Sequence, residues 1–374
     1  MRLVATKYLQ PGMTLHKAVT NDKDQVLLNE GVPLTNRMIL RLQELGITFV
    51  YIADSRTSDI KSKNTVSDQT QKQAIRTIES NFKEIKDGKN INYASILQQS
   101  TKGFRSVVQS ILSELKGSKE LLSLLSEVMI YDHYIFSHSF NVTLYSLSIG
   151  MELKLKEKQL EVLGLGAMLH DVGKMMISTD ILMKPGRLTE EEFTEMKKHT
   201  VYGYKLIKDL PNVSLLSAHC ALQHHERLDG SGYPRAIKGP DIHLFGKILA
   251  VADVFDAVTS NRSYRPAMLP HEGLEMLYSG SGKHFDADII KAFRKSIVIY
   301  PEGLSVTFHD GRSGVVIRQN PGFCDRPVIR ILEKNDQPIE NPYEVDLSKE
   351  LDMMIVKCST TVGEDMQKQK ETTV

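Results

Sequence analysis

The chain has 374 residues, enough for two or three domains and a sizeable core. Charged residues make up 25% and the formal net charge is +1, which argues against a broad surface for nucleic acid polymers or anionic membranes. Three widely spaced cysteines, Cys220, Cys324 and Cys358, form neither a disulfide framework nor a CxxC metal site, in keeping with a reducing cytosol. The opening MRLVATKYLQPGM lacks the apolar core of a signal peptide, and no run reaches the ~18 apolar residues of a membrane-spanning helix. The expectation is a cytoplasmic protein without membrane insertion.

Residues 1–54 read as a small α/β module. Met13–Ala18 and Gln25–Leu28 predict short strands about the turn-forming residues 21–24. Thr35 is placed to cap a helix that carries Ile39, Leu42 and Leu45 and stops at Gly46; Ile47–Ile52 is then a β-rich run. Nothing here carries chemistry, and docking to an unknown protein partner, regulation and plain packing all stay open. Residues 55–71 are polar, without a periodic apolar face, and read as a linker. Helical spacing follows in Ile75, Ile78 and Phe82, then Ile96, Phe104, Val107, Val108, Ile111 and Leu115, continued by Leu121, Leu122, Leu124 and Leu125. Such faces serve either the core of one chain or a homodimer.

Residues 72–299 carry the chemistry, and Gly164–Lys174 is its centre. The run is apolar to Leu169, then sets His170 and Asp171 side by side before Gly173. A buried carboxylate is costly unless paired or bound to a metal. On a helix the two side chains point about 100° apart and line a cleft, with Lys174 one turn on to hold a phosphate oxygen. Alone, the stretch is equally a polar helix end, but other segments supply partners. A helix through residues 132–148 puts His138 on an apolar side. A second, opened by Thr189 and Glu192 as a capping box, ends at His199. His224 and His225 are another adjacent pair, followed by a loop whose Gly230 and Gly232 permit close backbone approach. Asp253 lies in the nearly wholly apolar run of a helix over Leu244–Ser260. Arg262 and Arg265 are either a solvated helix end or a clamp for charged, planar groups. Beyond Tyr300 the runs Leu304–Phe308, Val315–Arg318, Val328–Leu332 and Met353–Val356 predict a small β module over 300–359, and 360–374 a disordered polar tail.

His138, His170, Asp171, His199, His224, His225 and Asp253 are nitrogen and oxygen donors without a thiolate. That set suits a dinuclear site of iron, manganese or a similar divalent metal better than structural zinc. HDVGK at 170–174, the spaced His199, HHERLDGSGYP at 224–234 and ADVFDAVTSNRSYR at 252–265 resemble the HD-GYP family of the HD phosphohydrolase superfamily, over about residues 125–300. The chain departs from the usual wording at Ser263 and Pro266, beside the two arginines.

The resemblance implies a mainly α fold: an all-α HD-type catalytic core with a small N-terminal α/β module and a small C-terminal β module. It also implies a bacterial enzyme that hydrolyses cyclic di-GMP to pGpG or GMP and so lowers a second messenger. In the family arrangement His138, His170, Asp171 and Asp253 hold one metal, and Asp171 bridges to a second held by His199, His224 and His225. A metal-bridging hydroxide would attack phosphorus in line, with Asp171 and Lys174 as catalytic residues and Lys174 stabilising developing charge. Lys174, Gly232, Tyr233, Arg262 and Arg265 match positions that contact substrate. Two metals per chain are expected, because Tyr134 stands one turn before His138, where relatives with a third metal carry glutamate. Two alternatives remain: hydrolysis of another cyclic dinucleotide or nucleotide, and a non-catalytic cyclic di-GMP receptor or scaffold.

Overall fold

The computed structural model describes residues 1–20, 25–45, 47, 49–60, 66–87, 93–117, 122–123, 134–184, 186–260, 268–320, 323–335 and 337–358. At the N-terminus β1 (Arg2–Ala5) pairs antiparallel with a later strand, β4 (Phe49–Ile52), with Leu3 opposite Tyr51. Between them β2 (Val19–Thr20) and β3 (Val26–Leu28) form a second antiparallel pair. The helix α1 (Asn36–Glu44) begins where expected, because the Thr35 side chain accepts a hydrogen bond from the Met38 amide at 3.3 Å and fills one open helix-end donor. Met13–Ala18 is not a strand; it contributes only the bridges Thr14–Pro33 and Leu15–Ile52. The turn expected over 21–24 lies outside the described residues. In β1, four residues are too few to display a period.

The helical body comprises α2 (Asp68–Asp87), α3 (Tyr93–Gly117), α4 (Tyr134–Glu152), α5 (Glu157–Met168), α6 (Thr179–Leu182), α7 (Glu190–Lys197), α8 (His199–Ile207), α9 (Leu215–Gln223), α10 (Leu244–Thr259), α11 (Pro270–Ser279) and α12 (Ala287–Ser296). Helix α4 packs against α2, α5, α10 and α12, which makes it the central rod. Ile75, Ile78, Phe82, Phe104, Val107, Val108, Ile111 and Leu115 are all buried in this one core. The stripe that left a homodimer open is therefore covered within the chain, each such side chain contributing roughly 1.5–3 kcal/mol. The stretch 55–71 differs from a free linker: α2 starts inside it, and Ile60 packs with Val315 and Leu332. Leu122–Ser123 does not continue a helix but forms β5, parallel to β6 (Ile297–Val298); Leu121, Leu124 and Leu125 lie outside the described residues. Among the described residues no helix is long and apolar enough to cross a membrane.

The C-terminal sheet contains β7 (Ser305–Phe308), β8 (Arg312–Asn320), β9 (Phe323–Lys334), β10 (Gln337–Asp346) and β11 (Ile355–Cys358), in the antiparallel order β10-β9-β8-β7-β11. The turn at Asp310-Gly311 is where the sequence put it, with Gly311 at φ +79°. This sheet joins the N-terminal strands. Leu3 bridges Leu304 in parallel, its amide donates to Gly303 O at 2.9 Å, and Ser305 Oγ donates to Leu3 O at 3.0 Å. Arg330 clasps Asp59 at 2.7 and 2.8 Å. The tail over 360–374 falls outside the described residues.

Glycine is required where the body is tightest. A Cβ on Gly173 would lie 2.0 Å from His199 O and 2.5 Å from Gly203 N, so the backbone after Asp171 rests directly on α8. Overpacking of this kind costs ~3 kcal/mol. Gly173→Ala is expected to move the midpoint of chemical denaturation down accordingly; an unmoved midpoint would refute the contact.

Candidate metal centre

All seven donors come from segment ends or from the buried faces of α4 and α10. Helix α5 stops at Met168, so His170 and Asp171 sit in the turn before a 3-10 helix over Val172–Met176, and not within a continuous helix as expected. The turn tightens because Gly173 must meet α8. His199 likewise opens α8 and does not end the preceding helix, since α7 terminates at Lys197. The capping box that starts α7 is as expected, with Thr189 and Glu192 exchanging hydrogen bonds. His224 and His225 follow the end of α9.

The donors converge. His138 Nε2 lies 3.1 Å from Asp253 Oδ1 and 3.6 Å from Asp171 Oδ2; His170 Nε2 is 3.4 Å from the same Asp171 oxygen. On the other side His199 Nε2 is 3.5 Å and His224 Nε2 3.9 Å from Asp171 Oδ1, and the two imidazole nitrogens are 3.3 Å apart. His225 Nδ1 is 3.7 Å from Asp253 Oδ2. Asp171 thus stands between two groups, His138 with His170 and His199 with His224 and His225, each close enough to share one ion. His170 Nε2 and Asp171 Oδ1 are buried without a hydrogen-bond partner among the described residues. Orphaned donors facing one another in a dry core are costly, and a divalent cation between them removes the cost. The residues fit a metal.

Electrostatics agree with that fit. Burial pulls His199 down to about 4 and His224 to about 3, leaving both imidazoles neutral and able to ligate. Burial alone would also lower His138, but hydrogen bonds to Asp253 and Asp256 outweigh it and raise the group to about 9. Burial pushes Asp171 upward, while Lys174 and the neighbouring histidines hold it well below the usual carboxylate range. The Lys174 ammonium donates directly to Asp171 Oδ2.

Sequence reasoning passed over Asp256. Its carboxylate accepts from His138 Nδ1 at 2.7 Å and from Asn141 Nδ2 at 2.9 Å, which fixes the ring so that His138 Nε2 faces the cluster. The signal was present, since Asp256 lies three residues after Asp253 on one helix face. Glu226 was also missed. It is buried and accepts from the Arg235 and Ile237 amides at 2.8 and 3.1 Å, pinning the loop that follows. In that loop a Cβ on Gly232 would meet three backbone atoms of residues 225–227 at 2.5 Å, and Tyr233 stacks on His225 at 4.6 Å between centroids. Arg262, Arg265 and the Tyr134 side chain lie outside what the structure describes. His284 pairs with Asp229 at 3.5 Å, both partly exposed.

Two outcomes are expected. Asp256→Asn removes the anion behind His138, and loss of such a partner typically costs roughly 10- to 100-fold in metal affinity; chelator competition measures it, and unchanged affinity would exclude the role. Because His138 is protonated in the metal-free protein at pH 7, metal binding should release close to one proton, and affinity should fall as pH drops below about 9. Calorimetry in buffers of differing ionisation enthalpy counts that proton.

Comparison with known proteins agrees with this architecture. A cyclic di-GMP phosphodiesterase of Pseudomonas aeruginosa is 34% identical over 233 residues, covering 62% of this chain and 56% of its own length. One from Thermotoga maritima is 38% identical over 201 residues, covering 54% and 53%. A 3'3'-cGAMP-specific phosphodiesterase of Vibrio cholerae is 34% identical over 169 residues, covering 45% and 36%. The chain spans about half the length, or less, of these relatives. Residues 305–366 match the KOW domain associated with HD domains, and residues 116–289, within the helical body, match the HD domain family model.

Proposed function

We propose that the chain is a metal-dependent phosphodiesterase that hydrolyses cyclic di-GMP to pGpG or GMP. The observation that carries this reading is the convergence of seven donors, six of them buried, in two adjoining groups about Asp171, with His170 Nε2 and Asp171 Oδ1 unpartnered among the described residues. His138, His170, Asp171 and Asp253 would hold one divalent ion, and Asp171 with His199, His224 and His225 a second; iron or manganese suits donors of this kind. Bound there, the ions would supply a nucleophile from water at neutral pH and neutralise charge on the phosphoryl oxygens.

The chain's own residues do the remainder. Lys174, half of an ion pair with Asp171, is positioned to balance charge that develops on phosphate oxygens. Burial keeps the Tyr233 phenol protonated, so its hydroxyl can donate to substrate. Gly232 lets the loop lie against residues 225–227 and so sets where Tyr233 stands. Arg262 and Arg265, by their match to the family pattern, bind substrate and take no part in the chemistry. Residues 1–54 form a regulatory or docking module and 300–359 a small β module beside a catalytic region over 72–299, in a cytoplasmic bacterial protein. The relatives named for 3'3'-cGAMP support a second reading, in which the preferred substrate is a different cyclic dinucleotide.

Metal-analysed protein incubated with cyclic di-GMP, 3'3'-cGAMP and cyclic di-AMP, with products separated by chromatography, tests both readings. Asp171→Asn keeps the shape but removes the shared charge, and turnover is expected to collapse while the fold survives. Near-normal turnover in that variant at unchanged metal content would sink the mechanism. Arg262→Ala or Arg265→Ala is expected to cost ~1.5–3 kcal/mol in substrate binding, seen as a higher KM with the metals still bound.

A further inference from the structure

Ring contacts run in sequence from the candidate metal centre to α7. His224, wholly buried, contacts His225 at 4.1 Å between centroids. His225 lies 4.6 Å from Tyr233 with the planes only 30° apart. Tyr233 meets the edge of Phe193 at 6.3 Å and 80°. Phe193, near the middle of α7, is 41% exposed. The Lys197 ammonium sits over both outer rings, 4.5 Å from Phe193 and 5.7 Å from Tyr233, and pairs with no carboxylate among the described residues. An exposed phenylalanine joined through two rings to a buried histidine cluster differs from a solitary surface apolar residue.

Resting on the reading of the centre as a phosphodiester site, we propose that Phe193, Tyr233 and Lys197 form a shelf for a purine base of the ligand whose phosphate lies at the metals. Flat aromatic faces next to a phosphate site are the chemistry that recognises a nucleobase, because every base offers a π-face. One face of Tyr233 is covered by His225, so the wall turned outward is the exposed Phe193 ring, set at 80° to Tyr233. Lys197 gives the shelf a positive rim, which attracts both the base carbonyls and a second phosphate. The loop that carries Tyr233 is held by Glu226, and α7 is held by its capping box, so both walls are fixed before a ligand arrives. None of these three side chains is needed to hold the metals.

Calorimetry on the metal-loaded protein separates base recognition from phosphate recognition. GMP is compared with ribose 5-phosphate, which keeps the sugar and phosphate but lacks the base. The unaltered protein is expected to prefer GMP about tenfold or more. Phe193→Ala is expected to remove most of that preference while ribose 5-phosphate binds as before, and Phe193→Trp to retain it. Equal affinity for the two ligands in the unaltered protein, full preference in Phe193→Ala, or equal loss of both ligands overturns the shelf. Absence of cyclic di-GMP turnover with a Phe193-dependent preference for GMP supports the shelf and removes the proposed reaction instead.

Discussion

The structure depends on keeping one carboxylate, Asp171, in a core that excludes water. Four imidazoles surround it, and three of them are aimed by the same device. His170 Nδ1 faces Ala167 O at 2.6 Å, His199 Nδ1 faces Met196 O at 2.7 Å, and His224 Nδ1 faces Cys220 O at 3.1 Å. Each of these carbonyls belongs to the last four residues of α5, α7 or α9, where it also accepts a backbone amide and uses its second lone pair for the ring. A carbonyl only accepts, so Nδ1 carries the proton and Nε2 turns inward with its lone pair. Three helix ends are thus capped by the rings that line the centre.

The two halves of the centre are not equivalent. His138 is backed by a carboxylate and faces Asp253, whereas His199 and His224 are backed by neutral carbonyls and share only Asp171. More negative charge gathers on the α4–α10 side, which makes the histidine there more basic and would favour a cation of higher charge. The asymmetry follows from helix contacts, since α10 brings Asp253 and Asp256 against α4 on one face.

The candidate centre was legible because its donor types are expensive in apolar runs: His170-Asp171 after Leu169, and Asp253 within α10, each stood out against their neighbours. Helix phases came from the spacing of Ile75, Ile78 and Phe82, and the starts of α1 and α7 from Thr35 and the Thr189–Glu192 box. What could not be read was tertiary. The close approach of the turn at Gly173 to the His199 carbonyl, at the start of α8, is a contact with no local signature. Strand β10 is a largely exposed polar edge with two prolines, so it shows no alternation. The covering of α2 and α3 by the rest of the body depends on long-range packing that periodicity does not address.

The meeting of Leu3 with Leu304 has a consequence in time. The Ser305–Leu3 hydrogen bond joins residues 302 apart in the chain. At about 5–20 residues per second, synthesis takes roughly 15 to 60 s to deliver that partner after the first strand is made. During this interval the outer edge of β1 carries backbone groups with nothing yet made to pair with, the arrangement most open to joining a foreign strand. Final closure of the fold is therefore a late event that follows completion of the helical body, and its rate is bounded by translation before it is bounded by the search for contacts.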